Sequence, residues 1–489
     1  MLIWRIKKNP KTSLLDEFEL LFDKCRDAFK QTRSMLRAKD LAFGILNCMG
    51  KHTIAGVITA YGKQFMDWSS NYRLFQSGKM DLGHLFGVVR KELVKKELDT
   101  QSPIYGQMDD TLIKKKGRKV SGTAWRWDPL GPPFNANFIW GQRFIQLSIS
   151  LPEKQGPSRA RAIPVDFFHA PTVPKPKKSD KKEAWDTYKE KQKKAKLSQK
   201  GLERIIELRK NLDEDGVYHR ELIVGVDGSY TNETVLKKLP SRTTIIGRIR
   251  KDTKLNDLPN KEDLTTGRTR IYGQEIPTPE EIRRNEDIPW QNVKAYAAGK
   301  EHTFNVKVIK DIRWRKAGKQ NLQLVIIRPL AYRLTKKSRL LYRDPAYLIC
   351  TNPKLDIEKL LQAYLWRWDI EVNFKEEKSI LGCGQPQVRT KEPVEKVPAF
   401  FVAVYAFIQL AAHRAHRVPQ IDRLPRAKWY SYKTEKRNTT GDIINEFKAQ
   451  LWAKSMDVSF SHFVNQQNIQ RSGKNRINPA ISAALYARN

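Results

Sequence analysis

Tyr364, Arg367, Glu371 and Lys378 have side chains that could act together on a phosphate group. At about 100° per residue, their spacing would place all of them on one face of a single helix. A carboxylate on that face can bind a divalent metal, while the cations and the phenol can hold phosphate oxygens. The alternative interpretation is a solvated surface helix in which Arg367 and Glu371, at i and i+4, form an exposed ion pair.

The spacing Y-x2-R-x3-E-x6-K resembles the Tyr-Arg-Glu-Lys signature of bacterial insertion-sequence transposases with a DDE active site, and every signature position matches. The resemblance implies a ribonuclease-H-like core in which Glu371 is the third catalytic carboxylate. It also implies that Tyr364, Arg367 and Lys378 contact DNA beside the metal site. Two catalytic aspartates are then expected upstream, each on or just after a strand.

Two upstream segments could supply these aspartates. The apolar, β-branched run in ELIVGVDGSY predicts a buried strand that ends at Asp227, although an Asp-Gly turn between two strands would have a similar sequence. The segment IYGQMDDTLIKKKGRK places Asp109 and Asp110 in a short strand before a basic turn. Family members often have Asp-x-Ser/Thr followed by Lys-Lys-Gly here, so the resemblance assigns Asp109 as catalytic, with Thr111 at the Ser/Thr position. Asp110 is the alternative, because strand alternation points adjacent side chains to opposite faces.

Three carboxylates suit metal-assisted phosphodiester chemistry. Hydrolysis and strand transfer use two divalent ions that bind the attacking and the leaving oxygen. Hard oxygen ligands suit Mg²⁺, with Mn²⁺ as a substitute. We therefore expect two Mg²⁺ ions at Asp109, Asp227 and Glu371.

The composition predicts a nucleic-acid partner. Lys and Arg number 91 against 53 Asp and Glu, which gives a net charge of +38 and a pI of about 10.0. Such a balance is typical of a protein that covers a polyanion, here double-stranded DNA at transposon ends and target sites. No run of about 18 apolar residues and no secretory leader is evident, so we expect no membrane partner and a cytoplasmic, nucleoid-associated bacterial protein.

Cysteine usage agrees with that compartment. The cysteines are far apart and form no C-x2-C pair, so the sequence does not indicate a zinc site. They are Cys25, Cys48, Cys350 and Cys383.

The length predicts two to four domains. The segments are an N-terminal helical, DNA-end-binding domain (1–102), the first part of the core (103–251), a β-rich insertion (252–355), the catalytic Glu helix (356–390) and a C-terminal helical, basic region (391–489). Core strands are expected near 104–113, 138–151, 221–227 and 243–251.

Smaller features of the terminal segments leave alternatives. The stretch from His52 to Phe65 could form a helix-turn-helix with Gly62 at the turn, although an ordinary bundle helix is favoured. An apolar helix is expected from about 397 to 413, too short to cross a bilayer. Beyond it, Trp429, Tyr430 and Tyr432 lie among basic residues that could serve DNA contact or dimerisation.

The separation of Asp227 and Glu371, 371 − 227 = 144 residues, indicates an insertion, because one crossover needs far fewer. In some members of the resembled family, an aromatic residue on the last strand of this insertion receives a flipped base. The resemblance places Tyr347 in that role. Core packing of a strand tyrosine is the favoured alternative.

The sequence therefore predicts an α/β protein with a ribonuclease-H-like core. The resemblance implies a transposase that binds terminal inverted repeats, cleaves DNA at the ends of a mobile element and joins the 3′-OH ends to target DNA, with a homodimer in the DNA complex. A metal-dependent endonuclease on the same fold, without strand transfer, is one alternative. A domesticated DNA-binding protein is another, which the intact carboxylate set disfavours.

Overall fold

The structure is a computed structural model that describes residues 13–76, 78–128, 131–132, 134, 136–259, 270–335, 337–417, 424–425, 437–464 and 479–486. The N-terminal residues considered for a secretory leader lie outside these ranges. So do Trp429, Tyr430 and Tyr432 of the basic tail.

Helices and strands alternate along much of the described chain. The helices are α1 (Leu14–Asp23), α2 (Thr32–Asn47), α3 (Ile54–Ala60), α4 (Ser69–Arg73), α5 (Leu82–Glu92), α6 (Lys182–Lys194), α7 (Leu197–Glu214), α8 (Glu233–Leu236), α9 (Pro279–Arg284), α10 (Ile357–Trp366), α11 (Trp368–Ser379), α12 (Lys391–Ala415), α13 (Thr440–Ser455), α14 (Phe460–Val464) and α15 (Pro479–Tyr486). The strands are β1 (Ile104–Lys114), β2 (Ala124–Trp127), β3 (Phe138–Pro152), β4 (Ala160–His169), β5 (Leu222–Val226), β6 (Thr243–Arg248), β7 (Leu255–Asp257), β8 (Glu275–Ile276), β9 (Gln291–Ala297), β10 (Lys300–Arg313), β11 (Leu322–Ile327), β12 (Ala331–Tyr332), β13 (Leu341–Tyr342) and β14 (Ala346–Cys350).

The core sheet has the strand order β4-β3-β1-β5-β6. Strands β1, β3 and β4 form an antiparallel meander, and β5 and β6 extend it in parallel with β1. Every residue of β5 is buried, as expected for a parallel strand with both faces covered. This arrangement is the ribonuclease-H-like core expected from the sequence, and the α/β fold class is confirmed.

The expected core strands are confirmed to within a few residues, but β4 escaped the sequence analysis. Its sequence, ARAIPVDFFH, contains Pro164, and a proline lowers the expectation of a paired strand. The structure accommodates Pro164 at an irregularity, because the register of β3 with β4 shifts between Leu147 and Ser148.

The β-rich insertion continues the core sheet. Strand β14 pairs with β6, β11 pairs with β14, and β10 pairs with β11, all antiparallel. Buried side chains of core and insertion pack together beneath α10, including Ile223, Ile246, Val325, Leu348 and Leu360. The insertion therefore shares both a hydrogen-bonded ladder and a hydrophobic core with the strands that precede it.

The chain divides into two compact units that do not follow the segments expected from the sequence. One comprises the described residues of Met1–Arg90, Lys119–Ser121 and Lys375–Asn489, and the other those of Lys91–Arg118 and Gly122–Phe374. The first unit thus joins the N-terminal and C-terminal helices, which the sequence had suggested as separate domains. In it, α12 packs on α1, where the rings of Phe22 and Phe407 are 5.6 Å apart, and α13 packs on both helices, with the rings of Phe18 in α1 and Phe447 in α13 5.3 Å apart.

Helix α12 is longer than the sequence analysis expected. It can begin at Lys391, since Pro393 then lies in the first turn, where a proline costs no helical hydrogen bond. Its length and composition would allow it to cross a membrane, which corrects the expectation that it is too short. However, 89% of the most apolar stretch of this helix is buried inside the protein, and the core helix of a soluble protein can have the same length and composition.

The stretch proposed for a helix-turn-helix contains one short helix. Helix α3 ends at Ala60, and Gly62 follows in a left-handed conformation with φ of 69°. A glycine adopts that conformation without the cost of a Cβ, so the turn at Gly62 is confirmed.

Candidate active site

The two predicted catalytic aspartates lie on neighbouring parallel strands, Asp109 within β1 and Asp227 directly after β5. Met108 of β1 pairs with Val226 of β5, so Asp109 and Asp227 are the next residues on the two strands. Asp227 lies just after β5, with an extended backbone at φ −75° and ψ 164°. The carboxyl ends of parallel strands meet at one edge of a sheet, where open α/β sheets place their sites.

Strand alternation separates Asp109 from Asp110. Gly225 lies two residues before Asp227, and a Cβ added to it would be 3.5 Å from Cβ of Arg367. Gln107 pairs with Gly225, so Asp109, two residues beyond Gln107, lies on the same face of the sheet. This is the face covered by the turn between α10 and α11.

Asp110 lies on the opposite face and has its own partners. The Tyr230 hydroxyl donates a hydrogen bond to Asp110 Oδ1 at 3.1 Å, and Arg143 Nε lies 3.3 Å from Asp110 Oδ2. Neither partner belongs to the helices that carry the signature. Of the two adjacent aspartates, Asp109 is therefore the one that faces Arg367.

Arg367 links the first and third predicted carboxylates. Its Nη1 donates to Asp109 Oδ2 at 3.2 Å, and its Nη2 donates to Glu371 Oε1 at 3.1 Å. The Arg367 side chain is only 12% exposed, against 18% for Asp109 and 36% for Glu371. The solvated surface pair, considered from the sequence as the alternative, does not describe this site, because the guanidinium is buried and bridges two carboxylates.

The signature residues do not project from one continuous helix as expected. Helix α10 ends at Trp366 and α11 begins at Trp368, with Arg367 between them. The Arg367 N–H bonds to Tyr364 O and the Ile370 N–H bonds to Arg367 O, both across three residues. This tighter turn rotates the chain by more per residue than an α-helix does, so the single-face geometry is wrong in detail.

Burial dominates the electrostatics of the site. Burial, reinforced by the negative charges of Asp110 and Asp227 and opposed by the Asp110 N–H and Arg367, raises the pKa of Asp109 to about 7. Burial also raises the pKa of Asp110, against the opposing effect of Arg143. The accumulated carboxylates make a region where an added cation would be stabilised.

Tyr364 lies close to this region. Burial raises the pKa of its phenol, while the charges of Arg367 and Arg248 lower it and Asp227 raises it. Its ring packs partly against the hydrophobic core beneath α10. This packing restricts the movement of the ring, so the position of the phenol oxygen near the site is restricted as well.

The carboxylates near Arg367 have the donor chemistry of a divalent-metal site but are not closely grouped. Within the described residues, no three His, Cys, Asp or Glu side chains are grouped closely enough to hold an ion. The oxygens of Asp109, inside β1, and of Asp227, just after β5, are nevertheless hard donors on neighbouring strands, and a hard cation would relieve their mutual repulsion. Glu371, joined to Asp109 through Arg367, is the remaining carboxylate donor. Carboxylate oxygens are the donor type that Mg²⁺ and Mn²⁺ prefer.

The remaining predicted residues lie elsewhere. Lys378 is in the last turn of α11, and Thr111 is buried in β1. Tyr347 on β14 is only 5% exposed, and its hydroxyl donates to Glu280 Oε2. A ring that is enclosed in this way offers no face to a flipped base, so the structure favours the core-packing interpretation of Tyr347.

Sequence reasoning missed the partners of Asp110. Arg143 lies within the apolar strand FIWGQRFIQLSISLP, where a charged residue is itself a signal of a buried ionic partner. Tyr230 stands in the same DGSY segment as Asp227 and is fully buried. Gly201 of α7 allows the approach, since a Cβ there would be 2.6 Å from the Tyr230 ring.

The raised pKa of Asp109 predicts a pH-dependent stability. Between the usual aspartate pKa of about 3.9 and a native pKa of about 7, the folded protein binds more protons than the unfolded chain, so stability falls as pH rises. Between about pH 5 and pH 8, we expect the free energy of unfolding to fall by about 2 to 3 kcal/mol less in Asp109→Asn than in the wild type. Urea unfolding without divalent ions measures it. Asp287→Asn, at an exposed position, should parallel the wild type, and a parallel Asp109→Asn profile would contradict the assignment.

Comparison with known families supports the assignment of the first two carboxylates to one family. A model of the family described as DDE superfamily endonuclease matches residues 25–321, which is more than half of the chain and includes Asp109 and Asp227 but ends before Glu371. A comparison with curated proteins found no match. The matched residues carry the first two carboxylates on the strands of a ribonuclease-H-like core, and the chain therefore belongs to the DDE superfamily endonuclease family, whose transposase-like nucleases act on DNA.

Proposed function

We propose that the chain is a DDE transposase that binds the terminal inverted repeats of an insertion sequence, cleaves DNA at its ends and joins the freed 3′-OH ends to target DNA. The observation that carries the proposal is the double contact of Arg367. Its guanidinium binds Asp109 and Glu371 together, while Asp227 lies on the same face at the neighbouring strand end. The match of the Tyr-Arg-Glu-Lys spacing supports the transposase assignment within the family.

Asp109, Asp227 and Glu371 would hold the metal ions, Mg²⁺ with Mn²⁺ as a substitute. Bound there, two such ions supply the charge that activates the attacking oxygen and stabilises the leaving oxygen. Asp109 must be deprotonated to bind a cation, so its raised pKa makes ion binding compete with a proton near neutral pH.

Arg367 has a second role when cations neutralise the carboxylates. Its planar fork of N–H donors matches a phosphate group as well as it matches a carboxylate. Because the side chain is already held beside Asp109, a phosphate at the site would find the donor in place. Tyr364 and Lys378 are proposed as further DNA contacts, with Lys378 acting as a point charge.

The charge of +38 supports binding of a long DNA segment. We propose that the N-terminal helices contribute to recognition of the transposon end and that a homodimer forms on DNA. We also propose cut-and-paste movement and a cytoplasmic, nucleoid-associated location.

A second candidate is a metal-dependent endonuclease that hydrolyses DNA without joining it. The description of the matched family as an endonuclease favours cleavage and leaves strand transfer as the point to test. Both candidates use the same carboxylates, so mutation of these residues cannot separate them.

The deciding experiment supplies purified protein with a labelled duplex that ends in the element's inverted repeat, a supercoiled target and Mg²⁺. A transposase is expected to give target joined covalently to the labelled strand, and the product should disappear when the donor carries a 3′-dideoxy end. Cleavage of a donor that still carries flanking DNA, with no joined product from either that donor or the pre-cleaved one, would instead identify the endonuclease.

A further inference from the structure

Four aromatic side chains form an exposed patch on the β2–β3 hairpin. Trp125 of β2 pairs with Trp140 of β3, and Trp127 pairs with Phe138. Paired and alternate residues lie on one face of a sheet, so all of these rings share that face. We call Trp125, Trp127, Phe138 and Trp140 the aromatic patch.

Three rings of the aromatic patch are exposed, Trp140 is partly buried beside them, and all of them are held in position. Trp125 is 61% exposed, and Trp127 and Phe138 are each 55% exposed. The two cross-strand pairs have edge-to-face contacts, with ring centroids 5.6 Å apart in each. Trp140 Nε1 also donates to Gly117 O at 3.1 Å. Large aromatic surfaces are costly to leave in water, so this grouping indicates a binding surface.

Cations border the aromatic patch. Lys116 and Arg118 are exposed in the turn that follows β1. The backbone joins this turn to the patch, because the Lys115 N–H donates to Trp140 O at 2.9 Å. A surface that combines flat apolar rings with positive charge is complementary to nucleotides, which combine flat bases with negative phosphates.

The aromatic patch shares a sheet face with the carboxylate site. Gln146 of β3 pairs with Asp109, and Trp140 lies six residues from Gln146 with no register shift between β1 and β3. An even separation keeps both positions on the same face, and six residues of strand span about 20 Å. That length corresponds to about six base steps of DNA.

We propose that the aromatic patch binds unpaired bases of the same DNA molecule whose phosphates lie at Asp109, Asp227 and Glu371. Each exposed indole offers a face on which a base can stack once it has lost its neighbour in the duplex. Lys116 and Arg118 hold the phosphates that link those bases. This inference rests on DNA being the substrate, and it adds that the substrate is unpaired about 20 Å from the reacting phosphate.

The test compares single-stranded and double-stranded DNA of about 20 nucleotides by fluorescence anisotropy, with EDTA present so that no cleavage occurs. Replacing both Trp125 and Trp127 with alanine is expected to weaken single-strand binding by about tenfold or more, because each lost stack costs about fivefold to a hundredfold. Duplex affinity, which comes from cation contacts, should change by less than about twofold. Phenylalanine at both positions keeps a π-face and should retain most of the single-strand affinity.

The matched control is the Trp68→Ala, Tyr72→Ala protein, which removes an exposed aromatic pair from α4 and the residue before it. It should bind both DNA forms as the wild type does. Circular dichroism should be unchanged in all variants, because the replaced rings are exposed.

Three outcomes would overturn the inference: unchanged single-strand affinity, an equal loss on single strand and duplex, or conversion of an oligomer to a smaller species in light scattering. The last would make the aromatic patch a contact between copies of the chain. Since binding is measured without metal, the result is independent of cleavage. If the protein cleaves no DNA but binds single-stranded DNA through the aromatic patch, the proposed transposase function would be refuted and the proposed role of the patch would stand.

Discussion

Replacing Asp227 with alanine, or Glu371 with alanine, is expected to slow metal-dependent cleavage of end-bearing DNA by about a thousandfold or more, equivalent to at least about 4 kcal/mol of transition-state stabilisation. Each change removes a carboxylate that would hold the ions beside the reacting phosphate. Specific binding should persist, because affinity comes mainly from many Lys and Arg contacts to phosphates. A nicking assay and a band-shift assay on the same preparation measure both effects.

The adjacent aspartates provide the matched control for that result. Asp109→Asn should be as severe as Asp227→Ala, whereas Asp110→Asn removes a carboxylate bonded to Tyr230 and Arg143 on the other face. Asp110→Asn is expected to affect stability more than metal affinity. A silent Asp109→Asn together with an inactive Asp110→Asn would reverse the assignment of the pair, and loss of DNA binding in the Asp227 variant would indicate a structural role.

Replacing Arg367 with alanine is expected to slow cleavage by about tenfold to a thousandfold, equivalent to about 1.4 to 4 kcal/mol. The same change should strengthen binding of Mn²⁺ in the absence of DNA, because it removes the cation that joins Asp109 to Glu371. Opposite signs for the two measurements separate a positioning role from simple damage to the fold. Isothermal titration with Mn²⁺ and single-turnover cleavage would give both.

Two further variants sharpen the Arg367 experiment. Arg367→Lys keeps the positive charge but loses the planar fork of donors. Its Mn²⁺ affinity should therefore be close to that of the wild type, while its cleavage rate should remain low. Lys375→Ala removes an exposed cation from α11 and should leave both measurements unchanged. Wild-type cleavage by Arg367→Ala on pre-cleaved and uncleaved ends would refute the role proposed for the signature.

The sequence was most informative where local pattern alone determines position. Asp227 could be placed because a buried apolar run ends in Asp-Gly, and β5 ends immediately before it. The choice between Asp109 and Asp110 could not be made from local pattern, because alternation separates them without telling which face the signature helix covers. That depends on Gly225 and Arg367, which are distant in sequence and meet only in the folded protein.

Other misses have similar causes. The helix break at Arg367 lies in a stretch without glycine or proline, so the local sequence did not predict it. The joining of the N-terminal helices with α12 and α13 in one unit depends on contacts between residues hundreds of positions apart. The buried environment of Tyr347 likewise depends on Glu280 of α9, a short helix within the segment that the sequence analysis assigned to strands.

The pairing of β14 with β6 has a consequence for how this chain can be divided experimentally. Without residues 252–355, β6 would keep β5 on one side but lose β14 on the other, and that edge would present a row of unpaired N–H and C=O groups. Such an edge is a template for association with another chain, so a shortened protein that keeps every proposed metal ligand would tend to aggregate. The insertion therefore protects the solubility of the fold, whatever part it takes in handling DNA.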